Sequence, residues 1–290
     1  VHGISWVFTW RQIEPVPGKF DWSKIDAALA ASDAAGYTSI IRVLAGEYSP
    51  PWASTAFPSV HIPAGPWDFG PRPHAMNTVV PWSPSFVAHW RSVIAAYGAH
   101  FDSRHDLFGV QMPGGGHQGE MSITGWPGWL DPSTPLIGGG TLGTSVYTDA
   151  KDIGMWDTFI DAYRAAFPNH PTALDIDSPM GSASGGGVFQ SVIAYAQQHY
   201  PGQVYYQQNG LRAQTPRTGK YFTTLHDLSA STKVGWQTGY GNNGTQSGAD
   251  VMTSYQTAVA SGASYFEALL SELTNPAFRT AVQYLSRYHR

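Results

Sequence analysis

Of the 20 acidic residues in the chain, most fall on expected helix faces or in turns, where capping or hydration accounts for them. Glu47, Glu120, Asp175, Asp177 and Glu267 fall instead inside or just beyond short apolar runs of strand character. Glu120 ends the stretch LFGVQMPGGGHQGE. Its first six residues, Leu107 to Met112, read as a buried strand, and Pro113 with three glycines stops the ladder. Glycine permits tight backbone conformations, so this loop can bring a carboxylate close to a ligand. Parallel α/β folds keep their chemistry just past the C-terminal ends of strands, although a hydrated loop side chain is the plainer reading of Glu120. Glu267 lies within the apolar run SYFEALL, where an unpaired charge is costly and demands a purpose, the plainer alternative being a salt bridge to Arg42 within the barrel. Asp177 is the next candidate, and Asp175, two residues back, points to the same face of its strand. Glu272 reads as a hydrated residue ahead of the last helix.

Around these carboxylates, Trp52, His117, Gln207, Asn209, Trp236, Gln237 and Tyr240 fall at or just beyond expected strand ends, where each could bind a hydroxyl or stack on a ring. For any single tryptophan, core packing is the competing explanation. The composition points the same way. Only 12% of residues are charged, against about 25% in soluble domains generally, while 13% are aromatic, including 11 Trp. A net charge of -4 supplies no basic field for a phosphate backbone, so a nucleic-acid partner is not expected. Surfaces of this kind suit uncharged ligands such as sugars, whose C–H faces lie on aromatic rings. No metal or cofactor is expected: there is no H-E-x-x-H, His117, His170 and His226 are scattered, and the chain has no cysteine. No apolar run is long enough to span a membrane.

The elements that must position these residues alternate. Strands are expected at Gly3 to Thr9, Thr38 to Leu44, Leu107 to Met112, Thr172 to Asp177, Gln203 to Gln208, Lys233 to Thr238 and Ser264 to Leu270. Helices are expected between them, one opened by Ser83-Pro84 with Phe86, Trp90, Val93 and Tyr97 on one face. Two long connections, Gly46 to Pro81 and Ile123 to Ser145, are of a length usually reserved for function. Strand–helix alternation demands parallel strands with crossovers, and a (β/α)8 TIM barrel of residues 1–290 is the natural home. A doubly wound open sheet is the rival, but no strand is followed by a phosphate-binding glycine loop. Seven strands are expected, so the eighth lies either in the long connection after residue 46 or upstream of Val1.

The opening stretch resembles glycoside hydrolases of the large (β/α)8 clan, particularly the β-galactosidase-like branch. The positions that carry the resemblance are Trp10, Glu14, Pro15, Gly18, Phe20, Asp21, Trp22, Asp26 and Gly36, then Pro51-Trp52. It implies that Gly3 to Thr9 is the second barrel strand, with the first upstream of residue 1, and that the Leu107 strand is the fourth, where the clan keeps its acid/base glutamate. Glu120 stands at that place. The pattern is departed from twice: Glu120 follows Gly119 instead of Asn, and the seventh strand offers Gln237 where the clan has a nucleophilic carboxylate. Glycoside hydrolysis uses two carboxyl groups, about 5 to 5.5 Å apart for retention or about 6.5 to 9.5 Å for inversion. The expectation is therefore a β-glycoside hydrolase of extracellular or cell-surface location with Glu120 as acid and Glu267 as nucleophile or base. The alternative is a barrel that has lost hydrolysis and binds carbohydrate within a larger surface assembly.

Overall fold

The computed structural model describes residues 3–66, 74–116, 123–177, 187–239 and 247–287. In chain order the elements are β1 (Gly3–Thr9), α1 (Trp10–Ile13), α2 (Ser23–Ala34), β2 (Thr38–Leu44), α3 (Ala53–Ala56), β3 (Ser59–Ile62), β4 (Met76–Val79), α4 (Pro84–Phe101) and β5 (Leu107–Gln111). They continue with α5 (Asp149–Ala166), β6 (Thr172–Asp175), α6 (Gly187–His199), β7 (Val204–Leu211), α7 (Lys220–Leu228), β8 (Val234–Thr238), α8 (Gly248–Ala260), β9 (Tyr265–Glu267), α9 (Leu270–Thr274) and α10 (Arg279–Leu285). All seven expected strands form, and they alternate with helices as an α/β chain must. The chain divides into two compact units, residues 2–172 with 178–199, and residues 173–177 with 200–290.

In the first unit β2 lies between β1 and β5, parallel to both. β2 is buried from Ser39 to Leu44, Arg42 included, as expected of a central parallel strand. Among its described residues the long connection after residue 46 holds no eighth parallel strand. Its β3 and β4 pair antiparallel, with His61 opposite Asn77. Helix α4 starts at Pro84, whose fixed φ and missing N–H suit a first helical position. Its buried Phe86, Trp90, Val93, Ile94, Tyr97 and Phe101 make one apolar stripe. At Gly98 a Cβ would lie 2.2 Å from the Ala166 carbonyl oxygen, so α4 and α5 meet at a distance only glycine allows.

In the second unit β6, β7, β8 and β9 stand side by side in that order. The apolar core here centres on Val251, Tyr255, Phe278 and Ala281, with Phe266 against them. The last strand is shorter than SYFEALL suggested. It ends at Glu267, and Leu270 is 74% exposed at the start of α9. Among the described residues no helix is long and apolar enough to cross a membrane.

Helix α5 begins well before its apolar stripe, where Thr148 accepts a hydrogen bond from the Lys151 N–H. Its first turn buries Asp152 completely beside Tyr147, whose hydroxyl donates to it at 3.3 Å. Burial pushes the Asp152 pKa up to about 7, only partly opposed by the tyrosine. The folded state therefore holds a proton that the unfolded chain releases near pH 4, so this carboxyl favours folding most at low pH and loses that advantage as pH rises toward 7. Asp152→Asn should remove a stability slope of up to about 1.4 kcal/mol per pH unit between pH 4 and 7. Urea unfolding of both proteins across that range checks it: the variant should gain on the wild type as pH rises, and parallel curves would show that Asp152 titrates normally.

Candidate active site

The parallel register sorts β7, β8 and β9 into two faces. Asn209 pairs with Gln237, and Gln237 with Glu267, so an amide, an amide and a carboxylate form one row at the C-terminal ends of three adjacent strands. Two residues lower, Gln207 pairs with Gly235 and Gly235 with Tyr265. Gly235 is bare because the Tyr265 ring lies over it; a Cβ there would come within 2.4 Å of ring atoms. One face thus grades from an aromatic floor to a polar rim. The opposite face carries Trp236 and Phe266 into the helices, where Phe266 meets Tyr255 edge-on with ring centres 4.8 Å apart.

Within the row, the Gln237 side-chain N–H donates to Glu267 Oε2 at 2.7 Å. Gln207 Nε2 donates to Asn209 Oδ1, also at 2.7 Å, and is itself fully buried. Gln207 therefore positions Asn209 and does not reach a ligand itself. Between Asn209 and Leu211, β7 advances two residues for one on β8, with Gly210 at φ 124°. This bulge is the kind of local break that re-aims a side chain at the end of a ladder. Asp177, just past β6, accepts from the Tyr221 hydroxyl at 2.5 Å.

Several expectations change here. Glu267 is half-buried, so the cost of a fully buried charge does not apply to it. Trp236 has no exposed surface and donates from its indole N–H to Ser261 Oγ at 2.7 Å, which makes it core and not a stacking platform. Glu272 is the carboxyl that is buried. It is 2% exposed, accepts from the Tyr255 hydroxyl at 3.1 Å, and its pKa is raised because burial outweighs the Thr238 and Tyr255 hydroxyls. The short helix α9 folds it inward, and a heptapeptide read as strand gave no sign of that. Glu120, His117 and Tyr240 lie outside the described residues.

In the other unit the residues of the opening signature gather around Glu14. This carboxylate has no exposed surface. It accepts hydrogen bonds from the Trp10 indole at 2.6 Å and the Gly18 backbone at 2.6 Å, and lies 3.0 Å from His89 Nε2 on α4. The Trp52 indole donates to the Glu14 carbonyl oxygen at 3.1 Å and its ring packs edge-on against Trp10 at 5.3 Å, so Trp52 braces this knot while remaining half-exposed. The spacing of Trp10 and Glu14, four apart, was readable as one helical face; the partner on α4 was not. Burial by itself would raise the Glu14 pKa, but the bonds from His89, Trp10 and Gly18 together hold it below the usual carboxylate range. At the end of β2, Gly46 at φ 61° abuts Gly115 and Gly116, the last described residues before Glu120; a Cβ would sit 2.3 Å from the Gly116 oxygen. Next to it, Glu47 Oε2 meets His74 Nε2 at 3.0 Å.

Glu14→Ala would leave an indole, a backbone N–H and an imidazole buried without their acceptor, and should cost about 3 kcal/mol in urea unfolding at pH 7. Because the folded pKa is depressed, this stability exists above the unfolded carboxylate pKa and fades as pH falls through the folded value. The gap between wild type and variant should therefore narrow in acid; a gap constant down to about pH 3 would mean the charge is irrelevant.

No curated protein matches the chain. Solved structures of endo-glycoceramidase II from Rhodococcus sp. are similar in fold, one of the lactosyl-enzyme intermediate at 14% identity and TM-score 0.50, another of a five-membered iminocyclitol complex at 12% identity and TM-score 0.51. Each alignment covers 93% of this chain and 65% of the other, so the chain spans about two thirds of the length of the structures it matches. Residues 3–114, which hold β1 to β5 and the Glu14 knot, match the model of the beta-galactosidase family, and the resemblance read from Trp10 to Trp52 is that of a glycoside hydrolase family.

Proposed function

We propose that the chain is a glycoside hydrolase of the (β/α)8 barrel type, its seven parallel strands forming one catalytic domain that cleaves β-glycosidic bonds with two carboxyl groups. Glu120 donates a proton to the leaving oxygen, and Glu267 acts as nucleophile or base. The row of Asn209, Gln237 and Glu267 carries this reading: a half-exposed carboxylate is held by an amide at the strand ends, flanked by a second amide of the kind that binds sugar hydroxyls. Asn209, Gln237 and Asp177 are the polar contacts for the sugar, with His117 and Tyr240 added from the sequence. Trp52 offers its remaining surface to a ring. The family match over residues 3–114 supports the same chemistry, and the fold likeness supports the barrel. An extracellular or cell-surface location goes with a polymeric sugar substrate.

Gln237 also favours a second reading, because it stands as an amide where the resembled clan has its nucleophile: the barrel binds carbohydrate within a surface assembly without cleaving it. Turnover on a panel of aryl β-glycosides and β-linked polysaccharides decides between the two. Under the hydrolase reading, Glu120→Gln and Glu267→Gln should each lower kcat/KM by about a hundredfold or more with unfolding midpoints near the wild-type value. Full activity in either variant removes that residue from the mechanism. Glycan binding with no wild-type hydrolysis selects the second reading.

A further inference from the structure

A cleft of about 520 Å³ opens at the C-terminal end of β2, wholly within the unit of residues 2–172 and 178–199. Its size falls in the range of about 300 to 1,000 Å³ usual for small-ligand sites. Arg11, Glu47, Tyr48, His74, Asn77 and Thr78 line it, and none of them belongs to the polar contacts assigned above. The turn that carries it is built firmly. Arg11 donates from Nε to the Tyr48 carbonyl oxygen at 3.2 Å and from Nη2 to that of Glu47, and its guanidinium lies 5.8 Å from the centre of the Tyr48 ring. The Glu47 side chain, 8% exposed, is held to His74, and Gly46 locks the turn against Gly115 and Gly116.

One guanidinium and one carboxylate line the cleft, and both are tied to the protein: Arg11 holds the Tyr48 and Glu47 carbonyl oxygens, and Glu47 meets His74. Beside these the cleft presents a half-exposed phenol ring, the exposed surface of Pro51 and the exposed carboxamide of Asn77. Asn77 Oδ1 pairs with His61 Nδ1 at 2.8 Å across the β3–β4 hairpin, which fixes the amide and makes its N–H groups the donors it can offer. A fixed amide beside an aromatic ring and apolar rim matches a neutral pyranose, with C–H groups on one side and hydroxyls on the other. We propose that this cleft is a subsite holding one sugar unit of a neutral oligosaccharide, with Tyr48 under the ring and Asn77 on a hydroxyl. The assignment rests on the glycosidase reading and places part of that enzyme's substrate recognition in the β3–β4 hairpin.

The probes are a p-nitrophenyl monosaccharide and the matching tetrasaccharide of whichever β-linkage the wild-type enzyme cleaves. With Asn77→Ala and Tyr48→Ala, the ratio of kcat/KM for the tetrasaccharide to that for the aryl glycoside should fall about tenfold, which corresponds to roughly 1.4 kcal/mol of binding free energy felt by the longer substrate alone. Asn77 is exposed, so its variant keeps the test valid if removal of Tyr48 harms folding. A ratio unchanged in Asn77→Ala, with hydrolysis intact, overturns the subsite and leaves the glycosidase reading standing. If wild type hydrolyses nothing, calorimetric titration with cellotetraose, laminaritetraose and a β-1,4-galactotetraose reads the cleft directly. Binding weakened about tenfold by Asn77→Ala supports it, and binding unchanged in the variant, or none at all, refutes it.

Discussion

Everything at the candidate site follows from the two-residue period of a parallel strand. Because β7, β8 and β9 are in register, a residue type at one position becomes a property of a whole row: Asn209, Gln237 and Glu267 at the rim, Gln207, Gly235 and Tyr265 beneath. A one-residue slip of β8 would exchange Gln237 for Trp236, putting an indole into the polar row and an amide into the helix face. Trp236 bonded to Ser261 and Phe266 packed on Tyr255 hold the strands against that slip. Packing on the hidden face thus keeps the polar face aligned.

Three buried carboxyl groups show that burial and function are separate properties. Glu14, Asp152 and Glu272 are each at most 2% exposed, and each is answered by a local donor: the Trp10 indole, Tyr147 and Tyr255 respectively. Their protonation differs with how strongly those donors oppose burial. Glu14, with an indole, a backbone N–H and an imidazole, is held ionised, whereas burial outweighs the hydroxyls at Asp152 and Glu272 and pushes both toward the neutral form. Glu267 is less buried than any of them, and a carboxyl that must meet a substrate cannot be sealed away as they are.

The strand rhythm was legible because long apolar runs with glycine and proline stops carry most of the information about parallel strands: β1 and β2 begin and end where the sequence places them. Two kinds of feature were not. Elements of four or five residues, such as α3, α9 and the β3–β4 hairpin, are too short for a period to rise above chance, and their conformation is decided by what they pack against. Side-chain partners drawn from distant elements were the second. Nothing near Glu14 in the chain announces His89, and nothing near Glu47 announces His74.

The opening signature shows how a family-like pattern can be misread when taken as chemistry. Trp10, Glu14, Gly18 and Trp52 are the types a sugar site would use, an acid between aromatic rings, yet here the acid is sealed and both indoles spend their N–H on Glu14. The spacing fixes the turn that follows β1, and α1 on that turn supplies Arg11 to the loop beyond β2. Position at a strand end is therefore necessary but insufficient. A residue at a rim reaches a ligand only when its own neighbours leave it surface to do so, and that depends on the next element in space, not the next in sequence.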